Sequence, residues 1–125
     1  MPHMLLIHEP IGQRAARGEA DGRDAYERML RWGQDLKNRG LLLAGESLAA
    51  LDDAARVSTA AGKTRIVDGP FAEAKEMVGG FFLVDVDARE DAVRLAAECP
   101  AAEWATVEVR ALAPCFMRQE RTPVD

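Results

Sequence analysis

Cysteine is nearly absent from this chain: two in 125 residues, Cys99 and Cys115. Their spacing fits no zinc or redox motif. A disulfide stays open, but two free thiols in a reducing cytoplasm are the expected state. Histidine is as scarce, with only His3 and His8. Two such residues make no ligand cluster, so no metal is expected. Long apolar runs are missing too. The N-terminal run, Met4 to Ile7, is too short for a signal-peptide core or a membrane span. The expectation is a cytoplasmic protein with no membrane contact. Nor is there an excess of positive charge. The 16 Lys+Arg stand against 21 Asp+Glu, a net of −5, which argues against a nucleic-acid partner. The arginines at 14, 17, 23, 28 and 31 are interspersed with acids, the pattern of a solvated surface. There is no phosphate loop and no dinucleotide fingerprint, so no cofactor is expected. Gly45-Glu46-Ser47 lacks the second glycine of a nucleophile elbow. Neither an internal repeat nor a low-complexity run occurs.

What remains has the composition of one ordinary domain, 48% hydrophobic and 30% charged, long enough for a single core without staples. Met4 to His8 reads as a buried strand. Ile11 to Gly22, rich in Gly, Ala and charge, reads as a flap or binding loop. Tyr26, Met29, Leu30, Gly33 and Leu36 fall on one helical face. That predicts a helix over Asp24–Arg39, with Asp24 as N-cap and Gly40 as a left-handed stop. Gly33 on that apolar stripe implies close approach to a sheet. Leu41–Leu48 is a second strand. Ala54–Ala60 and Lys63–Val67 form a hairpin around Ala61-Gly62. Gly79–Val86 is a central strand. Asp87 to Cys99 is a second helix, opened by a capping box of Asp87 with Glu90 and closed by Pro100. Thr106–Leu112 alternates like a half-buried strand.

The order β, α, β, hairpin, β, α, β predicts an α+β, ferredoxin-like fold: βαββαβ with an added small hairpin. The domain runs over 1–112, with a polar tail at 113–125. Leu5, Ile7, Phe82, Val84, Val107 and Val109 are expected under the helices. Met4, Leu6, Phe81 and Leu83 then face away, an apolar surface that a second copy of the chain would cover.

The stretch Asp68-Gly69-Pro70-Phe71-Ala72-Glu73-Ala74-Lys75-Glu76, followed by Gly79-Gly80-Phe81, is the most specific in the chain. With Met4–Ile7, Gly40–Leu48 and Val107-Glu108-Val109-Arg110, it resembles the DGPF-type branch of the YCII-related proteins. The resemblance implies a ferredoxin-like protomer that pairs sheet to sheet into a dimeric α/β barrel, with a polar-lined cleft in each protomer. Relatives on that architecture include lactone isomerases and a dehydrochlorinase. Some other members lie beside or are fused to sigma factors, so a sigma factor is a partner by family analogy alone. The YCII branch proper carries a first-helix histidine paired with an aspartate. Here Trp32, Gly33 and Gln34 occupy mid-helix, and the first helix has no histidine from which to build that dyad.

Seven residues are weighed, and all but Glu73 stand out as candidates. Asp68 is either a turn residue bonding backbone amides or a general base at a cleft mouth. Glu76 and Glu73 would share one side of a helical turn, with Glu76 the better placed to point inward. His8 ends the first strand on the side away from the helices, and its unperturbed pKa suits proton transfer. Glu108 and Arg110 share that side, where a mutual salt bridge, a dimer contact or a grip on a substrate carboxylate are all open. Phe71 flanks the turn and is either core or ligand-contacting. Asp68 and His8 are thus the catalytic candidates, and Glu76, Arg110, Glu108 and Phe71 the ligand-binding ones. Two functions compete. One is a cofactor-free enzyme on a small organic acid or lactone, running isomerisation or elimination. The other is a non-catalytic small-molecule-binding or regulatory dimer. Gly69, before a proline, is expected in a conformation closed to other residues.

Overall fold

The computed structural model describes residues 1–117. Apolar residues at alternate positions make a four-stranded antiparallel sheet in the order β2-β5-β1-β6, from β1 (His3–Pro10), β2 (Leu42–Ser47), β5 (Glu76–Val84) and β6 (Thr106–Ala111). In β1, His3, Leu5, Ile7 and Glu9 are buried while the residues between them are not. Two long helices, α2 (Glu19–Asn38) and α3 (Arg89–Glu98), cover that side. Leu5, Val84, Leu36 of α2 and Leu95 and Ala96 of α3 form one core cluster, with Phe82, Val107 and Val109 packed against it. This mixed α+β architecture is compatible with the ferredoxin-like arrangement.

Gly33 has the expected role. A Cβ there would lie 3.2 Å from Phe82 Cε1, and that ring meets Trp32 edge to face at 4.9 Å between centroids. Gly40 takes φ +72 and closes α2. Other local expectations fail. The segment read as a loop from Ile11 to Gly22 holds a short helix, α1 (Gln13–Ala16), and the first turn of α2, so Asp24 is inside the helix rather than its cap. Gly18 takes the cap position, and Glu19 and Asp21 fill the acid-favouring first turn instead. The capping box at Asp87 does not form either. Asp87 binds the N-terminal ammonium at 2.5 Å, a contact that holds its carboxyl below the usual range, and Ala88 stands at the helix N-cap. Glu73 and Glu76 share no helical turn. Residues 71–75 form a turn without a helix, and Glu76 opens β5 opposite Pro10. The proposed tail, 113–125, lies partly outside the described residues.

The hairpin is present as β3 (Ala55–Ala60) and β4 (Lys63–Asp68), a separate two-stranded ribbon. Ala61 and Gly62, both at positive φ, turn it. All twelve strand residues are exposed, and Val57 and Ile66, paired across the ribbon, are 65% and 64% accessible. Its anchorage is at the base. Gly69 N–H donates to Ala54 O at 2.7 Å, and Arg56 pairs with Glu73 and lies 3.7 Å over the Phe71 ring. The Gly69–Pro70 bond is cis.

Gly69 is not among the glycines at positive φ, and what excludes a side chain there is space. A Cβ would lie 2.0 Å from the Leu51 carbonyl oxygen and 3.2 Å from that of Ala54. Gly69→Ala should therefore destabilise by about 1–3 kcal/mol, the scale of overpacking. An unchanged denaturant midpoint would show that the base of the ribbon yields without cost.

Candidate functional site

Glu9 is the fourth residue in the buried row of β1, an acid where the alternation calls for an apolar side chain. Its presence there follows from how the neighbouring strand is built. The β1–β5 register slips between Ile7 and His8, and Gly79 is the β5 residue left out of the pairing. Glu9 fills the room that Gly79 leaves. A Cβ on Gly79 would lie 2.1 Å from Glu9 Oε2 and 2.9 Å from Arg14 Nη2. Burial of a carboxylate requires a partner, and α1 supplies it. Arg14 Nε donates to Glu9 Oε1 at 2.5 Å, Nη1 to Leu48 O at 2.8 Å and Nη2 to Gly79 O at 3.2 Å. One arginine thus ties together β1, β5 and the residue that follows β2. Glu9 Oε2 makes no hydrogen bond among the described residues, and no polar side-chain atom there is both sealed from solvent and unpaired. That oxygen packs against Gly79, and the Glu9 side chain borders an open space.

The space is a cavity of about 530 Å³ between α2 and the sheet. Gly45, Gly79 and Gly80 leave its floor low, and Met29, Leu30 and Phe82 form apolar walls. Arg14, Arg17 and Lys37 border it against Glu9 and Glu46. Glu46 is paired with Phe81, which puts its side chain on the opposite sheet face and leaves its backbone to the cavity. The charged side chains within are therefore three cations and one acid, in a chain of net −5.

At one end stands Trp104. Gln13 Nε2 donates to its carbonyl at 2.7 Å, and Arg17 lies 5.6 Å from its ring centroid. Arg28 lies 5.4 Å from the same centroid and forks onto Glu103 at 2.8 and 2.9 Å. Those bonds hold the Glu103 carboxyl below its usual range. Burial pushes the Cys99 thiol up to about 11, so it is protonated at neutral pH and no nucleophile. Among the described residues no group of three or more His, Cys, Asp or Glu is placed to hold a metal ion. No helix there is long and apolar enough to cross a membrane.

None of the six residues singled out in the sequence lines this cavity. His8 and Glu108 do come together, Nε2 to Oε1 at 2.6 Å, on the sheet face away from the helices. Arg110 shares that face opposite Met4. Asp68 is exposed at the end of β4, Glu76 is exposed at the start of β5, and Phe71 is buried beneath Arg56. Glu9, Arg14 and Arg17 were missed. A signal for Glu9 existed: continuing the Leu5, Ile7 alternation by one step places an acid on the core face.

Comparison with known proteins adds a family. The model of the YCII-related domain matches residues 1–115. An uncharacterised protein of Rhizobium meliloti (strain 1021) is 42% identical over 62 residues, 48% of this chain and 50% of that relative. The match thus spans about half the length of that curated relative.

Proposed function

The chain belongs to the YCII-related family, and from that premise we propose that it binds a small organic acid in the cleft beneath α2 and moves a proton on it without a cofactor. The observation that supports this best is Glu9. Its carboxyl is buried, one oxygen is held by Arg14, the other has no hydrogen bond among the described residues, and the side chain borders a cavity lined by cations. Arg14 compensates the burial of the acid and fixes its direction. In the step we infer, Oε2 takes a proton from the carbon next to the ligand's carboxyl or carbonyl group. The electron pair left on carbon spreads onto the adjacent oxygen, where the cationic lining stabilises it. Returning the proton to another carbon gives isomerisation, and expelling a leaving group gives elimination.

The test is turnover and affinity for a panel of small acids in wild type and in Glu9→Gln, which keeps the shape and removes the base. Turnover should fall by a factor of about 10² or more, the usual contribution of a general base, with affinity changed far less. Saturable binding with no turnover in wild type would leave a binding module instead. No binding of any acid would end the proposal.

We also infer that two copies pair through the open face of the sheet into a dimeric α/β barrel. Met4, Leu6, Phe81 and Leu83 all lie on that face, and the helices cover the other. An interface on the order of 2,000 Å² is expected. Light scattering at micromolar concentration should give twice the 13.6 kDa of the chain. A monomeric mass would refute the pairing.

A further inference from the structure

Trp104 is flanked by two arginines in different circumstances. The fork of Arg28 is filled by Glu103 through two hydrogen bonds. The fork of Arg17 meets no carboxylate among the described residues. Its one side-chain bond there is Nη2 to Gln13 Oε1 at 3.2 Å, and the same Gln13 amide donates to Trp104 O at 2.7 Å. Gln13 therefore bridges Arg17 to Trp104, and the indole lies beside the guanidinium. A cation half-buried, braced by an amide and an aromatic ring, and aimed at a cavity has already lost much of its side-chain freedom. The entropy that a flexible surface arginine gives up on binding has mostly been spent in folding. Arg14, the neighbouring arginine of the cavity, is committed to Glu9, Leu48 and Gly79. Lys37 sits on the last turn of α2, fifteen residues from Gly22 at the other end, so it is roughly 20 Å along the helix from the end that meets Arg17.

On this basis we infer that Arg17 is the specificity-determining residue of the cleft and that the ligand is a free carboxylic acid, not a lactone or other neutral carbonyl compound. The inference rests on the reading of the cleft as a small-acid site. The ligand's carboxylate occupies the fork of Arg17 as Glu103 occupies that of Arg28, in the planar two-bond geometry guanidinium favours. Its apolar body lies on Met29, Leu30 and Phe82, with the carbon next to the carboxylate presented to Glu9 Oε2. A neutral ester or lactone fits the same walls but leaves the guanidinium without its counter-charge. Sites built to pair with a polar group discriminate strongly against ligands that lack it.

The experiment uses hexanoate and phenylacetate beside their methyl esters, titrated calorimetrically into the full-length wild type, Arg17→Met and Arg17→Lys. The indole N–H resonance of Trp104 is followed in parallel by NMR. In wild type each acid should bind at least tenfold tighter than its ester and shift the Trp104 resonance. In Arg17→Met the two should bind within about threefold of each other, because acid affinity falls while ester affinity stays. Arg17→Lys should restore part of the preference, since it returns the charge without the fork. The melting midpoint of Arg17→Met serves as the folding control, and Arg17→Gln replaces it if that variant does not fold. Equal binding of acid and ester in wild type would overturn the inference while leaving the cleft a binding site. So would a preference that survives in Arg17→Met. Failure of both acids and both esters to bind would instead remove the small-acid site itself, and this inference with it.

Discussion

Arg14→Met should cost about 2–4 kcal/mol of stability. The guanidinium makes the sole hydrogen bond found for the Glu9 carboxyl among the described residues, and it also bonds the backbone at Leu48 and Gly79. Removing one member of a buried pair costs more than the pair contributes, because the remaining charge is left without compensation. The Glu9 side chain is 10% accessible and that of Arg14 34%, so solvent softens the loss below that of a fully buried pair. The decisive comparison is the double variant Glu9→Gln with Arg14→Met. A neutral amide in place of the stranded carboxylate should recover more than half of the loss. Urea unfolding of the wild type, both single variants and the double variant gives the coupling directly. Additive losses would mean that the two side chains act independently and that Arg14 matters only as a tie between strands.

Gly79→Ala should damage the site out of proportion to the size of a methyl group. The new Cβ would fall 2.1 Å from Glu9 Oε2 and 2.6 Å from its Cδ. The carboxyl must move or the strand must shift, and either breaks the register slip that seats it. We expect about 1–3 kcal/mol of destabilisation, as for other overpacked sites, and at least a tenfold loss of acid binding. Gly22→Ala is the matched control. It also borders the cavity, but its Cβ would meet only Arg17 Cδ at 3.8 Å, an ordinary contact inside a helix. Alanine there should be neutral or stabilising by up to ~1 kcal/mol. Full acid affinity in Gly79→Ala would show that the Glu9 position is not needed for binding.

Gly33 and Gly79 illustrate what the amino-acid pattern does and does not reveal. Gly33 was legible because it interrupts an apolar helical stripe, and the ring of Phe82 lies opposite it. The two sheet faces were legible for the same reason: Leu5 and Ile7 alternate with Met4 and Leu6. The start of α2 was not. Glu19 to Asp24 carries no apolar periodicity, and what favours a helix there is an acidic first turn and an Arg23–Glu19 pair one turn apart. The site was not legible because it depends on a slip in strand register. Only once Gly79 drops out of the ladder does Glu9 have a seat, and only a folded α1 brings Arg14 to it. The turn from Asp68 to Glu76 drew attention as a motif. In the structure it forms the root of the ribbon, where Gly69, Phe71 and Glu73 hold Ala54 and Arg56 in place.

That ribbon has a consequence for how the molecule opens. Its ladder joins only β3 to β4, and nearly all its fastening is at Ala54, Arg56 and Gly69. A lone pair of strands is marginally stable in water. Its amides should therefore exchange with deuterium through a local opening of small free energy. The β1 and β5 amides, which lie at the centre of the sheet, should wait for unfolding of the whole domain. The exchange record of this chain should split into two populations. The fast one would report on the ribbon alone, and only the slow one would respond when the cleft is filled.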